Sequence, residues 1–173
     1  MTTDGKYWFA VYTKSRHEKC VESKLIQKDF ITFLPLVTEK KRWTDRIQKV
    51  DVPLIKSYLF VKTEPKNLLY VLQTHGVVKI IKIGHDYTRV PEYQIEALQA
   101  VLAERLAITP EDYFKTGEKV KVLYGPLKDK IGTVKSVKGS NKLFLKIDAI
   151  NYAFSTPIEM ENVKKIKEES ERK

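Results

Sequence analysis

Thr116-Gly117-Glu118-Lys119-Val120-Lys121-Val122-Leu123-Tyr124-Gly125-Pro126-Leu127-Lys128-Asp129-Lys130-Ile131-Gly132-Thr133-Val134 is the stretch on which the reading of the chain turns. Val120 and Val122 alternate with lysines, the period of a strand with one buried face, and Val134 resumes that pattern after a turn. Gly125-Pro126 punctuates the run. Gly132 stands where a side chain would obstruct the backbone or a small interior. Two short strands around a core of valines are expected.

Toward the C-terminus the pattern repeats. Strands are expected over residues 119–123, 132–137, 143–147 and 152–160, with turns at Gly125-Pro126 and Lys138-Gly139-Ser140-Asn141. Several short strands in about 50 residues predict a small β-barrel over 116–167. Residues 164–173 are highly charged and read as a frayed end, with 168–173 as a charged tail. Upstream, Thr109-Pro110-Glu111-Asp112 opens an expected linker over 109–115.

Before the linker the periodicity changes. Tyr7-Trp8-Phe9-Ala10-Val11-Tyr12-Thr13 reads as a buried strand, and Ser15 three residues before Glu18 predicts a capping box opening a helix over 16–28. Residues 31–37 begin a second strand, with Pro35 at an edge or bulge. Glu39-Lys40-Lys41-Arg42-Trp43-Thr44-Asp45-Arg46 reads as a charged hairpin tip. A third strand is expected over 57–62, then a short helix capped by Asn67, running through Gln73 and ended by His75-Gly76. Residues 77–83 form the fourth strand, stopped at Gly84, and Pro91 opens a third helix marked by Ile95, Leu98, Leu102 and Leu106. The order strand, helix, two strands, helix, strand, helix predicts an α+β, split βαβ (ferredoxin-like) domain over 1–108.

The net charge is +10, and it is shared: residues 1–108 carry +6 and residues 109–173 carry +4. Such a field favours nucleic acid or an acidic protein surface, and equally fits a lysine-rich solvated surface. No apolar run approaches the roughly 20 residues that cross a bilayer, so no membrane association is expected. The N-terminus lacks a signal-peptide core and Cys20 has no partner cysteine, which makes the cytoplasm the expected location. His17, His75 and His85 are scattered, no metal-ligand spacing occurs and no phosphate loop is present. Neither catalysis, a metal nor a cofactor is expected.

The stretch quoted first resembles a KOW motif, of which Gly125, Pro126 and Gly132 are the diagnostic positions, and a KOW domain implies an SH3-like barrel in the gene-expression machinery. Trp8-Phe9-Ala10-Val11-Tyr12, Ser57-Tyr58-Leu59-Phe60-Val61, Gly76-Val77-Val78-Lys79-Ile80 and Arg89-Val90-Pro91 resemble the N-terminal domain of the NusG family. The resemblance runs from Trp8 to Ile166. Lys56-Ser57-Tyr58-Leu59-Phe60 and the basic residues after the first strand look closest to specialised paralogs of the RfaH and UpxY kind.

That resemblance implies a monomeric transcription elongation or antitermination factor, operon-specific, which binds the clamp helices of bacterial RNA polymerase and suppresses pausing or termination. By position, Tyr12, Tyr58, Phe60, Ile80 and Ile83 would line the polymerase-binding depression, each being equally readable as core of the sheet. Thr74 and His75 lie near the contact to the opposite pincer, although the His-Thr-Thr sequence of RfaH is absent. Lys14, Arg16 and His17 would meet exposed non-template DNA or nascent RNA, and Lys40, Lys41, Arg42 and Arg46 would approach upstream DNA. Tyr152 would present the KOW domain to a ribosomal small-subunit protein, with Asn151 in place of an expected aliphatic residue. Two other readings stand beside this one. Lys56-Ser57-Tyr58-Leu59-Phe60-Val61-Lys62-Thr63 partly matches an RRM signature, in which Tyr58 and Phe60 would stack the bases of single-stranded RNA. The KOW motif alone would also suit a ribosome-associated protein.

Overall fold

The structure is a computed structural model that describes residues 5–42, 46–111, 118–137 and 140–166. Trp43, residues 112–115 of the expected linker, Thr116-Gly117, the Lys138-Gly139 turn and the 168–173 tail lie outside the described residues. The chain forms two compact units, Met1–Pro91 and Glu92–Lys173.

In the first unit an antiparallel sheet is ordered β2-β5-β1-β6, from Ile31–Phe33 (β2), Tyr58–Thr63 (β5), Tyr7–Thr13 (β1) and Val77–Ile80 (β6). The helices Glu18–Ile26 (α1) and Leu68–Leu72 (α2) connect β1 to β2 and β5 to β6. Alternation in β1 sends Phe9 and Val11 into a core with Val21 and Leu25 of α1, Leu68 and Val71 of α2, and Leu59, Val61 and Ile80. Trp8, Ala10 and Tyr12 point to the other face, which Phe60 and Tyr58 share through the register Ala10↔Phe60 and Tyr12↔Tyr58.

Several local expectations fail for identifiable reasons. The Ser15–Glu18 capping box does not form. His17 occupies the N-cap position without a side-chain bond, and Glu18 instead accepts the Ser57 N–H at 2.8 Å. Asn67 makes no cap either, because the single turn Pro65–Asn67 continues directly into α2. The expected strand over 31–37 breaks at Pro35, and Leu36–Arg42 (β3) leaves the sheet to pair with Ile47–Pro53 (β4) along a seven-pair ribbon. The run 77–83 also divides, since Lys82–Ile83 (β7) folds back on Asp86–Tyr87 (β8) around Gly84, while Arg89–Val90 (β9) returns to β1.

The second unit opens with the helix Glu92–Ala103 (α3), which buries Gln94, Ile95, Ala97, Leu98 and Val101. Six antiparallel strands follow in the order β10-β14-β13-β12-β11-β15. They are Thr109–Glu111 (β10), Glu118–Val122 (β11), Ile131–Val137 (β12), Ser140–Ile147 (β13), Tyr152–Pro157 (β14) and Val163–Lys165 (β15). Val120, Val122 and Val134 are buried with Leu143, Leu145, Ile147 and Phe154, so the alternation that marks the motif does point inward. Two strands replace expected coil. Residues 109–111 pair with β14, Pro110 being tolerated because β10 is an edge strand, and Val163–Lys165 pairs with β11.

Candidate functional site

The residues expected at a polymerase surface separate into three groups. Tyr12 and Tyr58, paired across β1 and β5, are half-buried and meet edge to face with centroids 5.1 Å apart. Lys79, opposite Tyr12 on β6, lies 5.6 Å over its ring. Phe60 lies on the same face but is 0% exposed, stacked on Phe33 at 6.1 Å. Ile80 is 3% exposed in the core on the opposite face, where its pairing with Val11 places it; as the chain stands it builds the core and lines no surface. Ile83 is 72% exposed on the β7–β8 hairpin.

Thr74 is buried too, its hydroxyl donating to the Tyr70 carbonyl at 3.1 Å and accepting from Lys28 at 2.9 Å. His75 is exposed, and its ring lies 6.3 Å from that of His17 at an interplanar angle of 59°. Two sets assigned to different partners in the sequence thus meet at one end of the sheet. Three left-handed residues from three loops build that end: Arg16 at φ 63°, Ser57 at φ 64° and Gly76 at φ 99°. Thr13 N–H donates to the Ser57 carbonyl at 2.8 Å and Lys14 N–H to the Gly76 carbonyl at 2.9 Å. Strain of this kind persists where surrounding bonds over-determine it, and it gathers at functional sites. A β-carbon on Gly76 would sit 2.7 Å from Val21 Cγ2 and 3.5 Å from His17, so glycine is what lets this loop close. Lys14 and Arg16 stand exposed beside it.

Lys40, Lys41, Arg42 and Arg46 are exposed on the β3–β4 ribbon and its tip. Lys40 pairs directly with Lys49, a cation that nothing in the sequence marks because only the fold sets it opposite another. Like charges so placed oppose the pairing, and no ion pair to a described residue neutralises this end. The base of the ribbon is anchored to α1. Lys19 Nζ donates to the Asp51 carbonyl at 2.7 Å, and the Asp51 carboxylate accepts from the Thr38 hydroxyl at 2.6 Å. Burial lifts the Glu22 carboxyl above its ordinary range there, against the Leu34 N–H and Lys19, which both favour its charge.

In the second unit Gly125 adopts φ 85° in the β11–β12 loop. Gly132 faces Leu143, whose Cδ1 would lie 2.7 Å from an added β-carbon. Tyr152 is half-buried and stacks on Phe154 at 6.1 Å. Asn151 holds φ 53°, a conformation that asparagine tolerates and an aliphatic residue does not, which accounts for the residue found there. Gln94 of α3 was not singled out in the sequence. Its amide donates to the Asp148 carboxylate at 2.6 Å and accepts the Asp148 N–H at 3.2 Å. Among the described residues no three His, Cys, Asp or Glu side chains gather as a metal site would require, and no helix is long and apolar enough to cross a membrane.

No curated protein matches the chain. A structure of NusG from Thermotoga maritima is 20% identical, with 94% of this chain and 98% of that one covered at a TM-score of 0.49. The MjSpt4:Spt5 complex in conformation B contains a chain 19% identical, with coverages of 92% and 96% and a TM-score of 0.31. The family described as transcription termination factor nusG matches residues 6–99, which is 94 of 173 residues and more than half of the sequence. The chain belongs to the NusG family.

Proposed function

We propose that this chain is a non-catalytic, operon-specific elongation and antitermination factor of the RfaH and UpxY kind. In this reading its ferredoxin-like first domain holds the clamp helices of bacterial RNA polymerase and suppresses pausing or termination, as a cytoplasmic monomer. Its KOW barrel recruits a second partner, a ribosomal small-subunit protein. The Tyr12–Tyr58 pair carries the proposal. Two half-buried phenols, on the sheet face they share with the buried Phe60, offer large apolar area with few rotors to freeze, which is how interface anchors work. The exposed Lys79 at their rim suits an acidic partner helix. Lys14, Arg16 and His17 at the sheet end, and the cations of the β3–β4 ribbon, serve non-template DNA or nascent RNA in this account.

The RRM-like alternative fares worse, because base stacking needs Phe60 exposed and it is fully buried. A single titration separates the two readings. Isolated clamp helices should bind the wild-type protein and lose about tenfold or more in affinity with Tyr58→Ala, the loss expected for a buried aromatic anchor. Unchanged affinity, with circular dichroism showing an intact fold, would remove Tyr58 from the interface.

A further inference from the structure

Tyr124 is 64% exposed on the β11–β12 loop. A single ring left in water is ordinary, but this one stands over a mostly apolar groove of about 220 Å³, walled by Pro126, Leu127, Pro157 and Ile158. The two loops that form the groove are tied together, because Leu123 N–H donates to the Asn162 carbonyl at 2.7 Å. Each is also closed on itself, by Lys128 N–H to the Gly125 carbonyl at 3.1 Å and Asn162 N–H to the Glu159 carbonyl at 3.0 Å. The groove is thus built before anything enters it, and little is left to order on binding. The same bonds, with those of the Val122 and Ile158 N–H groups, leave no continuous row of donors for an added strand. Size excludes more: small-molecule sites start at roughly 300 Å³, and a helix about 10 Å across cannot enter. What fits is one or two side chains of an extended segment.

Charge then selects the segment. Glu159 lines the groove and Glu161 is exposed two residues on, and neither has an ion pair with a described residue. Lys128, on the facing loop, is not in the wall. On a chain of net charge +10, two such carboxylates beside an apolar groove repel a phosphate backbone and favour a cation. A polyproline II segment suits the rest. It is extended beforehand, it packs rings against rings, and its unbonded carbonyls can accept from the Tyr124 hydroxyl and the Asn162 amide. We propose that this groove docks an extended, basic, proline-bearing segment of a partner protein, with its prolines against Tyr124 and Pro157 and its cation at Glu159. Tyr152 is not in this wall, so the docking surface is separate from the contact proposed for a ribosomal protein.

Fluorescence anisotropy with the full chain tests this, using a labelled twelve-residue peptide of prolines and leucines flanked by arginines. Two relatives of it carry glutamate for arginine, or glycine for proline. The first peptide should bind saturably, and each relative about tenfold more weakly or less. Tyr124→Ala and Glu159→Lys, both at exposed positions, should each weaken the first peptide by about tenfold with circular dichroism unchanged. Glu159→Lys should also improve binding of the glutamate peptide. In wild type, amide shift changes on adding the first peptide should gather over residues 123–128 and 158–162. If that peptide does not bind, or shifts amides elsewhere, the groove is not its dock. Equal binding of the glycine peptide would show that no preformed extended segment is selected. Preference for the glutamate peptide, or displacement of the first peptide from these amides by an oligonucleotide, would show that the charge argument is wrong.

Discussion

At Gly132 an added β-carbon would meet Leu143 Cδ1 at 2.7 Å and the Phe144 carbonyl oxygen at 3.0 Å. The first neighbour can rotate away, but the second is backbone. Gly132→Ala should therefore destabilise the protein by about 1–3 kcal/mol, the usual cost of overpacking, read as a lower urea midpoint at unchanged slope. An unshifted midpoint would mean that β12 and β13 separate at no cost. This glycine was legible in the sequence because a glycine between two strand residues marks a close approach, although the atoms it avoids belong to β13. Glu18 was not. A serine three residues ahead of it looks like a capping box, whereas its real partner is the Ser57 N–H, 39 residues away. Glu18→Ala leaves that N–H unsatisfied in a half-buried loop and should cost about 1–3 kcal/mol, while Glu18→Gln, which keeps an acceptor, should cost less. Equal losses for the two variants would show that the bond contributes nothing beyond packing.

The elements divide in the same way. Strands rich in aromatic and branched residues, such as β1 and β5, or with clean alternation, such as β11, follow the sequence, whereas the strands it hides are those whose partners are remote or whose residues resemble turns. β10 is one: Pro110 and its polar neighbours read as linker, yet Glu111 accepts from the Ser155 hydroxyl at 2.6 Å and from Lys142 at 2.9 Å. The Ser155 bond first, and Lys142 after it, hold the Glu111 carboxyl below its ordinary value of 4.5. A folded-state value below the unfolded one stabilises above the ordinary carboxylate range, and the contribution is lost as pH falls through the folded value. Thermal melts from about pH 6 to about pH 3 should thus show a shallower acid decline for Glu111→Gln than for wild type; parallel curves would remove the clip from the acid response. On the β3–β4 ribbon, Lys49→Glu turns a like-charge pair into an opposite one. It should stabilise the protein by about 0.2–1 kcal/mol while weakening nucleic-acid binding. A variant that gains stability and binds as before would show that these cations serve solubility alone.

At the scale of the molecule, the main sheet of the first unit takes its strands in the expected succession strand, helix, two strands, helix, strand, with the β3–β4 ribbon inserted between the two middle strands. The sequence puts the third helix with the residues before it, yet the compact units part at Pro91 and Glu92. The heptad-like face of Ile95, Leu98 and Leu102 names no partner. In the structure α3 lies against β12 and β13, and Gln94, an ordinary polar residue in the sequence, is buried in its bonds with Asp148. The candidate site was half legible for the same reason. Aromatics and cations mark themselves by type, but which face of a strand they take, and that His75 finds His17, are set by pairings no local window contains. The central claim, a factor that engages RNA polymerase and lengthens its runs, is tested most directly by pause duration in a reconstituted bacterial elongation complex. Micromolar wild-type protein should bind the complex and shorten pauses, and a Tyr12→Ala, Tyr58→Ala double variant of intact fold should do neither. No binding of the wild-type protein at that concentration, or full activity in the double variant, would contradict it.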